Sequence, residues 1–151
     1  MTIADADFLD WLGVKYRVLQ SAASTGGSLS ITHSISPANS GPPRHIHHAE
    51  DETFFICDGR CDFWVNGEVF HRTAGETLFV PRGTEHTFRI PDGPPCDHLV
   101  IMTPGGFEGF FAEMAAGQFR IPEDMGQIAT IANRFNLSFT GPPLSAADVQ
   151  R

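Results

Sequence analysis

From Val14 to about Pro104 the chain is a succession of short runs rich in β-branched and aromatic residues, each ended by Gly, Pro or Asn. VKYRVL from Val14, SLSITHSI from Ser28, ETFFIC from Glu52, CDFWV from Cys61, TLFV from Thr77, HTFRI from His86 and CDHLVIM from Cys96 share this character. Such residues suit a pleated, half-buried surface, and no helical periodicity competes with it here. Many short strands at this spacing predict an all-β sandwich or barrel of antiparallel strands. Asn66-Gly67 lies between CDFWV and EVF, and both positions of a two-residue hairpin turn require positive φ. The strands at Cys61 and Glu68 should therefore pair antiparallel.

After Gly105 the texture changes. FEGFFAEMAAG from Phe107 and EDMGQIATIANRF from Glu123 contain helix formers with apolar residues three and four apart. Pro122 followed by Glu123 and Asp124 suits a first helical turn. Two short helices are expected on the outside of the β-domain, and helices nowhere before Gly105. At 151 residues with 41% hydrophobic side chains, the chain is long enough for one domain with a core and short for two. The expected organisation is one domain over 1–151: a barrel at about 14–104, a helical extension at about 107–136, and a tail at 137–151 that is mobile from Gly141. Val14 to Leu19 and the C-terminal helices are more apolar than a barrel exterior needs, which predicts a homodimer formed partly by the N-terminal strands.

Charge narrows the partners. Eighteen acidic against ten basic residues give a net charge of −8, which repels phosphate backbones and anionic membranes, so neither nucleic acid nor membrane is expected as a partner. The first thirty residues lack a basic stretch followed by an apolar run, and no stretch approaches the roughly 18 apolar residues of a membrane span. A cytoplasmic protein is expected. Cys57, Cys61 and Cys96 form neither a CxxC pair nor an even set, which reads as reduced core thiols; a two-cysteine metal site at Cys57 and Cys61 is the weaker alternative.

The most informative segment is RHIHHAEDETFFICDG, Arg44 to Gly59. In an extended strand alternate side chains share a face, so His45 and His47 project together while Ile46 and His48 point away. Glu52 shares parity with Phe54 and Ile56, which places its carboxylate on a core-facing side, and a carboxylate buried there needs a cationic partner. Downstream, GETLFVPRGTEHTFRI from Gly75 supplies a strand, a turn at Pro81 to Gly83, and a second strand opening with His86, in parity with Phe88 and Ile90. Three imidazoles and one carboxylate form a nitrogen-rich set that suits a divalent transition metal, Fe, Mn, Ni, Co or Zn, better than calcium or magnesium.

These residues resemble the cupin superfamily. Its first motif, two histidines separated by one residue, then four residues, a glutamate, six residues and a glycine, is matched by His45, His47, Glu52 and Gly59. Its second, a glycine, five residues, Pro-x-Gly, two residues and a histidine, is matched by Gly75, Pro81, Gly83 and His86. Two positions depart: Asn39 stands where a glycine is expected, and Ile90 where an asparagine is expected. The resemblance covers about residues 28 to 104 and implies a jelly-roll barrel in which His45, His47, Glu52 and His86 bind one metal ion. Within the superfamily the chain is most similar to quercetinase-like single-domain bacterial cupins, a resemblance that implies a metal-dependent dioxygenase with Glu52 as both ligand and acid/base group.

The remaining candidates read as structural. His33, His71 and His98 are expected as satisfied core or surface residues, and His48 and Glu50 on the outer face or in the loop at the barrel mouth. Phe54, Phe63, Phe79 and Phe88 are core by default, with one or two lining a pocket. Four ligands on an octahedral ion leave two positions for a small-molecule substrate, dioxygen or water. An oxygenase acting on an aromatic or enediol-like hydroxy compound suits the apolar interior; a non-oxidative isomerase, lyase or decarboxylase, or a binding module, is the alternative. Arg44, Arg60, Arg82 and Arg89 are all expected outside, which favours a neutral substrate over an oxalate-like anion.

Overall fold

The computed structural model describes residues 8–150. In chain order the strands are β1 (Leu9–Trp11), β2 (Val14–Gln20), β3 (Ser30–Ser36), β4 (Pro43–His47), β5 (Asp51–Asp58), β6 (Arg60–Val65), β7 (Glu68–Thr73), β8 (Thr77–Val80), β9 (His86–Arg89), β10 (Cys96–Thr103) and β11 (Leu137–Pro143). They form a six-stranded sheet, β1-β2-β3-β10-β5-β8, and a five-stranded sheet, β11-β4-β9-β6-β7. Among the described residues every pairing is antiparallel. This is the antiparallel barrel that the strand spacing predicts, in the jelly-roll arrangement that the family resemblance implies.

Alternation along the strands builds the interior. Phe54 and Ile56 of β5, Phe63 of β6, Val80 of β8, and Val100 and Met102 of β10 are buried between the sheets with Ile90. Each fully buried large apolar side chain contributes about 1.5–3 kcal/mol. Asn66 and Gly67 take φ of 48° and 89°, and Val65 pairs with Glu68 across them, as a two-residue hairpin turn demands. Asn39 has φ 64°, a left-handed value that asparagine tolerates, so the glycine missing from the motif is replaced without losing the turn. Its N–H donates to the Ile90 carbonyl at 2.7 Å, and the Ile90 N–H donates to the Ser40 carbonyl at 3.0 Å. Gly41 in the same loop lies so close to β9 that a Cβ there would meet the Phe88 carbonyl oxygen at 2.1 Å. The loop entering β4 is thereby pinned to β9.

Several expectations need correction. Residues 137–143, expected as tail, form β11 and pair with β4 in the register Leu137↔His47 and Phe139↔His45. Pro142 and Pro143 disguise this strand, but prolines are tolerated at a sheet edge, where β11 lies. A four-residue helix α1 (Ala22–Thr25) precedes Gly105; Ser21 and Ser24 cap each other's backbone in a capping box and stabilise it locally. The later helices α2 (Glu108–Gly117) and α3 (Met125–Arg134) lie where the pattern places them. They do more than cover the exterior, since Phe107, Phe110 and Met114 join the core and Phe107 packs edge-on against His47 with centroids 4.5 Å apart. Phe79 is not core: it points outward from β8 and is 58% exposed. Cys57 is exposed at the end of β5, whereas Cys61 and Cys96 are buried thiols.

The edge strand β1 and its neighbour leave Leu12, Val18 and Leu19 exposed. No helix among the described residues is long and apolar enough to cross a membrane.

Candidate metal centre

Two sheets supply the centre. On β4 burial alternates, with Pro43, His45 and His47 turned inward and Arg44 and Ile46 less buried between them. His86 opens β9 directly opposite His45 in the β4–β9 pairing, so their imidazoles approach with centroids 4.4 Å apart. Glu52 comes from β5 in the other sheet, inward with Phe54 and Ile56. The turn before His86 is tied to this corner: the Gly83 N–H donates to the His47 carbonyl at 2.8 Å, and the Asp51 carboxylate accepts from the Arg82 N–H at 2.9 Å.

The four side chains are between 1% and 7% exposed, and one ligand atom from each lies within 4.8 Å of the other three. No other cluster of three or more His, Cys, Asp or Glu side chains among the described residues has this geometry. His45 Nδ1 lies 2.7 Å from the Pro43 carbonyl, and His86 Nδ1 lies 2.9 Å from the Thr84 carbonyl. A carbonyl only accepts, so each Nδ1 carries its proton there and each Nε2 is left as the donor atom for a metal, with the ring orientation fixed. The Glu52 carboxylate faces two of these nitrogens, His86 Nε2 at 2.6 Å and His47 Nε2 at 3.8 Å.

Electrostatics fit the same reading. Burial, together with the neighbouring imidazoles of His86 and His47, pushes His45 down to about 3. Burial likewise takes His47 down to about 4, against the opposing charge of Glu52. Burial would raise Glu52, but His47 and the hydrogen bond from His86 outweigh it and hold the carboxyl at about 2. For His86 burial acts downward, yet the Glu52 hydrogen bond and charge lift it above its ordinary value. The centre thus holds two neutral imidazoles and one proton shared between His86 and Glu52, a position a divalent cation would take over. The donor set, its burial and the oriented Nε2 atoms fit a transition metal.

Beside the centre lies a cavity of about 310 Å³, at the lower end of the range for small-molecule sites. His45, His47 and Glu52 line it together with Phe54, Phe88, Tyr16 and Trp11. Phe107, Phe110 and Phe111 from the helical extension also line it. No lysine or arginine is among its lining residues, and Glu52 is the one carboxylate among them. Arg44 instead stacks over Trp64 at 5.0 Å, and Arg82 pairs with Asp51.

The other histidines divide. His33 bonds Asp97 at 2.5 Å and His71 bonds Asp62 at 2.6 Å, both as structural pairs. His98, expected to be structural as well, lines the cavity. Its parity with Val100 and Met102 on β10 was the signal for this. His48 is exposed against Ser138. Glu50 sits in the β4–β5 loop as expected, but it is only 6% exposed, and burial next to Glu52 raises it to about 7. Cys57 and Cys61 take part in no metal-ligating cluster among the described residues.

Comparison with known proteins agrees with the fold. Residues 32–102 match the family model described as a cupin domain. The chain is 28% identical over 96 residues to a quercetin 2,3-dioxygenase of Bacillus subtilis (strain 168), covering 64% of this chain and 28% of that protein. It is 30% identical over 103 residues to a quercetin 2,3-dioxygenase of Aspergillus japonicus, covering 64% of this chain and 29% of that one. The chain therefore spans less than a third of the length of these relatives. Among solved structures, KdgF from Halomonas sp. is similar with a TM-score of 0.62 at 15% identity, covering 68% of this chain and 90% of that chain.

Proposed function

We propose that this chain, whose residues 32–102 match the cupin domain, is a metal-dependent dioxygenase acting on a small aromatic or enediol-like hydroxy compound. The observation that carries this reading is the four-residue donor set, three members of which line an apolar cavity with no lysine or arginine in its wall. The likeness to quercetin 2,3-dioxygenases supports it.

In this reading His45, His47, Glu52 and His86 hold one divalent transition metal. When bound, the metal would supply Lewis-acid activation of a substrate hydroxyl and, for a redox-active ion, electron transfer to dioxygen. The chain's own residues do the rest. Pro43 and Thr84 hold the His45 and His86 rings in the ligating tautomer. Phe54, Phe88 and Phe107 orient an aromatic ligand and keep bulk water from the reacting end. Glu52, the one carboxylate lining the cavity, takes the proton from the substrate hydroxyl. A neutral substrate is favoured over an oxalate-like anion, because no arginine or lysine lines the cavity to receive a carboxylate.

Dioxygen uptake by the metal-loaded protein, screened over flavonols and catechols, tests the function. Consumption coupled to loss of one such compound is expected. Anaerobic conversion of a sugar, keto acid or carboxylate, with no uptake for any chelating hydroxy compound, would put a non-oxidative cupin reaction in its place.

Metal loading should also depend on pH with a defined sign. The raised His86 keeps its proton to higher pH than free imidazole, and a ligand must lose its proton to bind. Affinity should therefore climb as pH rises and level off above the His86 titration. Below that point loading releases about one proton per metal. Calorimetric titration in two buffers of different ionisation enthalpy reads that proton directly, and a heat independent of buffer would contradict the shared proton. The exposed Leu12, Val18 and Leu19 beside edge strand β1 support a homodimer through this edge, which light scattering tests; a monomer mass at working concentration would contradict it.

A further inference from the structure

The cavity wall also holds a group that the chemistry above does not use. His98 is 1% exposed and lines the cavity with Ser34 and Ser36 of β3. Its Nε2 lies 3.0 Å from Ser36 Oγ, while its buried Nδ1 has no hydrogen-bond partner. Phe54 and Phe88 flank the ring, with centroids at 6.5 and 5.5 Å. In the β5–β10 register Glu52 lies opposite Met102 and His98 lies opposite Ile56. Four residues of strand, about 13 Å of rise, therefore separate the level of this imidazole from that of Glu52.

A buried imidazole nitrogen with no protein partner costs stability, and an apolar residue would avoid that cost. Of the other inward histidines, His45 and His86 satisfy Nδ1 on backbone carbonyls, and His47, whose Nδ1 is also unpaired, belongs to the metal centre. His98 has spent one nitrogen on Ser36 and kept the other free beside a ligand-sized space.

We propose that His98, held by Ser36, anchors a neutral hydroxyl or phenol at the far end of an aromatic substrate whose chelating end lies at His45, His47, Glu52 and His86. This rests on the aromatic-hydroxyl reading of the metal centre. Tautomerism selects the group. If Ser36 accepts from Nε2–H, Nδ1 is an acceptor; if Ser36 donates to Nε2, Nδ1–H is a donor. A hydroxyl serves either case. Burial takes His98 down to about 4, so the ring is neutral at working pH, and no lysine or arginine lines the cavity to receive an anion. The substrate class is thus an elongated aromatic compound bearing a chelating hydroxyl at one end and a second hydroxyl across its body.

Two binding measurements on the full chain decide this. In the first, phenol is added to protein as purified, with the histidine ring nitrogens followed by NMR. Saturable movement of the His98 Nδ1 resonance is expected, and His98→Phe should bind phenol no better than benzene. An unmoved resonance, or equal phenol affinity in His98→Phe, overturns the anchor, and the parent spectrum alone decides if the variant does not fold. In the second, metal-loaded protein is titrated with flavonol and with its 4′-hydroxy derivative. The parent should prefer the derivative by about tenfold or more, and His98→Phe should bring the ratio to about one, since a site built for a hydroxyl rejects the analogue lacking it. Equal binding of the two by the parent overturns the proposal. If neither flavonol binds while phenol still moves His98, the anchor stands and the aromatic-hydroxyl reading of the metal centre falls.

Discussion

Glu52→Gln, assayed per bound metal, is expected to lose about a hundredfold or more of the parent's turnover, the usual scale for removing a positioned general base. An amide keeps an oxygen that can still coordinate and an NH₂ that can only donate, so part of the metal should remain. What disappears is the ability to take a proton from the substrate hydroxyl. Glu52 is the one carboxylate among the lining residues of the cavity. His47 and His86 hold its titration below the ordinary carboxylate range, so the carboxylate is ionised in the metal-free centre. Turnover per metal equal to the parent's would remove the acid/base role and leave Glu52 as a ligand only.

His47→Ala should empty the centre while leaving the barrel folded. His47 contributes one of three imidazoles, and losing a direct ligand should exceed the roughly 10- to 100-fold loss typical of removing only a ligand's hydrogen-bond support. The fold does not depend on this side chain: its Nδ1 makes no hydrogen bond, and its ring contacts are Phe107 and the other two imidazoles of the centre. The core of Phe54, Ile56, Phe63, Ile90 and Met102 is independent of it. Metal content after dialysis and a circular dichroism melt together check this. Full metal stoichiometry in the variant would mean the ligand set is wrong.

How much of this was legible in the sequence follows from parity and spacing. Period-two alternation put His45, His47 and Glu52 on inward faces, and the structure brings them together with His86 because β4 pairs with β9 at His45↔His86. The Asn66-Gly67 turn was legible because its chemistry is local. The closure of the cavity was not. Leu137 and Phe139 alternate as a strand should, but the Gly-Pro-Pro that follows masks an edge strand that exists through its pairing with β4. Phe107, Phe110 and Phe111 have helical spacing that is equally consistent with exterior packing, and only tertiary structure turns them over the cavity. Phe79 was misplaced, and the burial of Glu50, correctly put in its loop, was not legible. An aromatic residue in a strand is core by default, yet β8 is a sheet edge with one face open, and Glu50's burial depends on what packs over its loop rather than on strand parity.

X-ray absorption spectroscopy of the protein loaded with one equivalent of a divalent transition metal tests the central claim most directly, because it reads the ligand atoms themselves. The structure leads us to expect a shell of nitrogen and oxygen at about 2.0–2.3 Å, with outer-shell scattering that fits three imidazoles. A sulfur scatterer at about 2.3 Å, or a shell that fits without imidazoles, would contradict a centre built from His45, His47, Glu52 and His86.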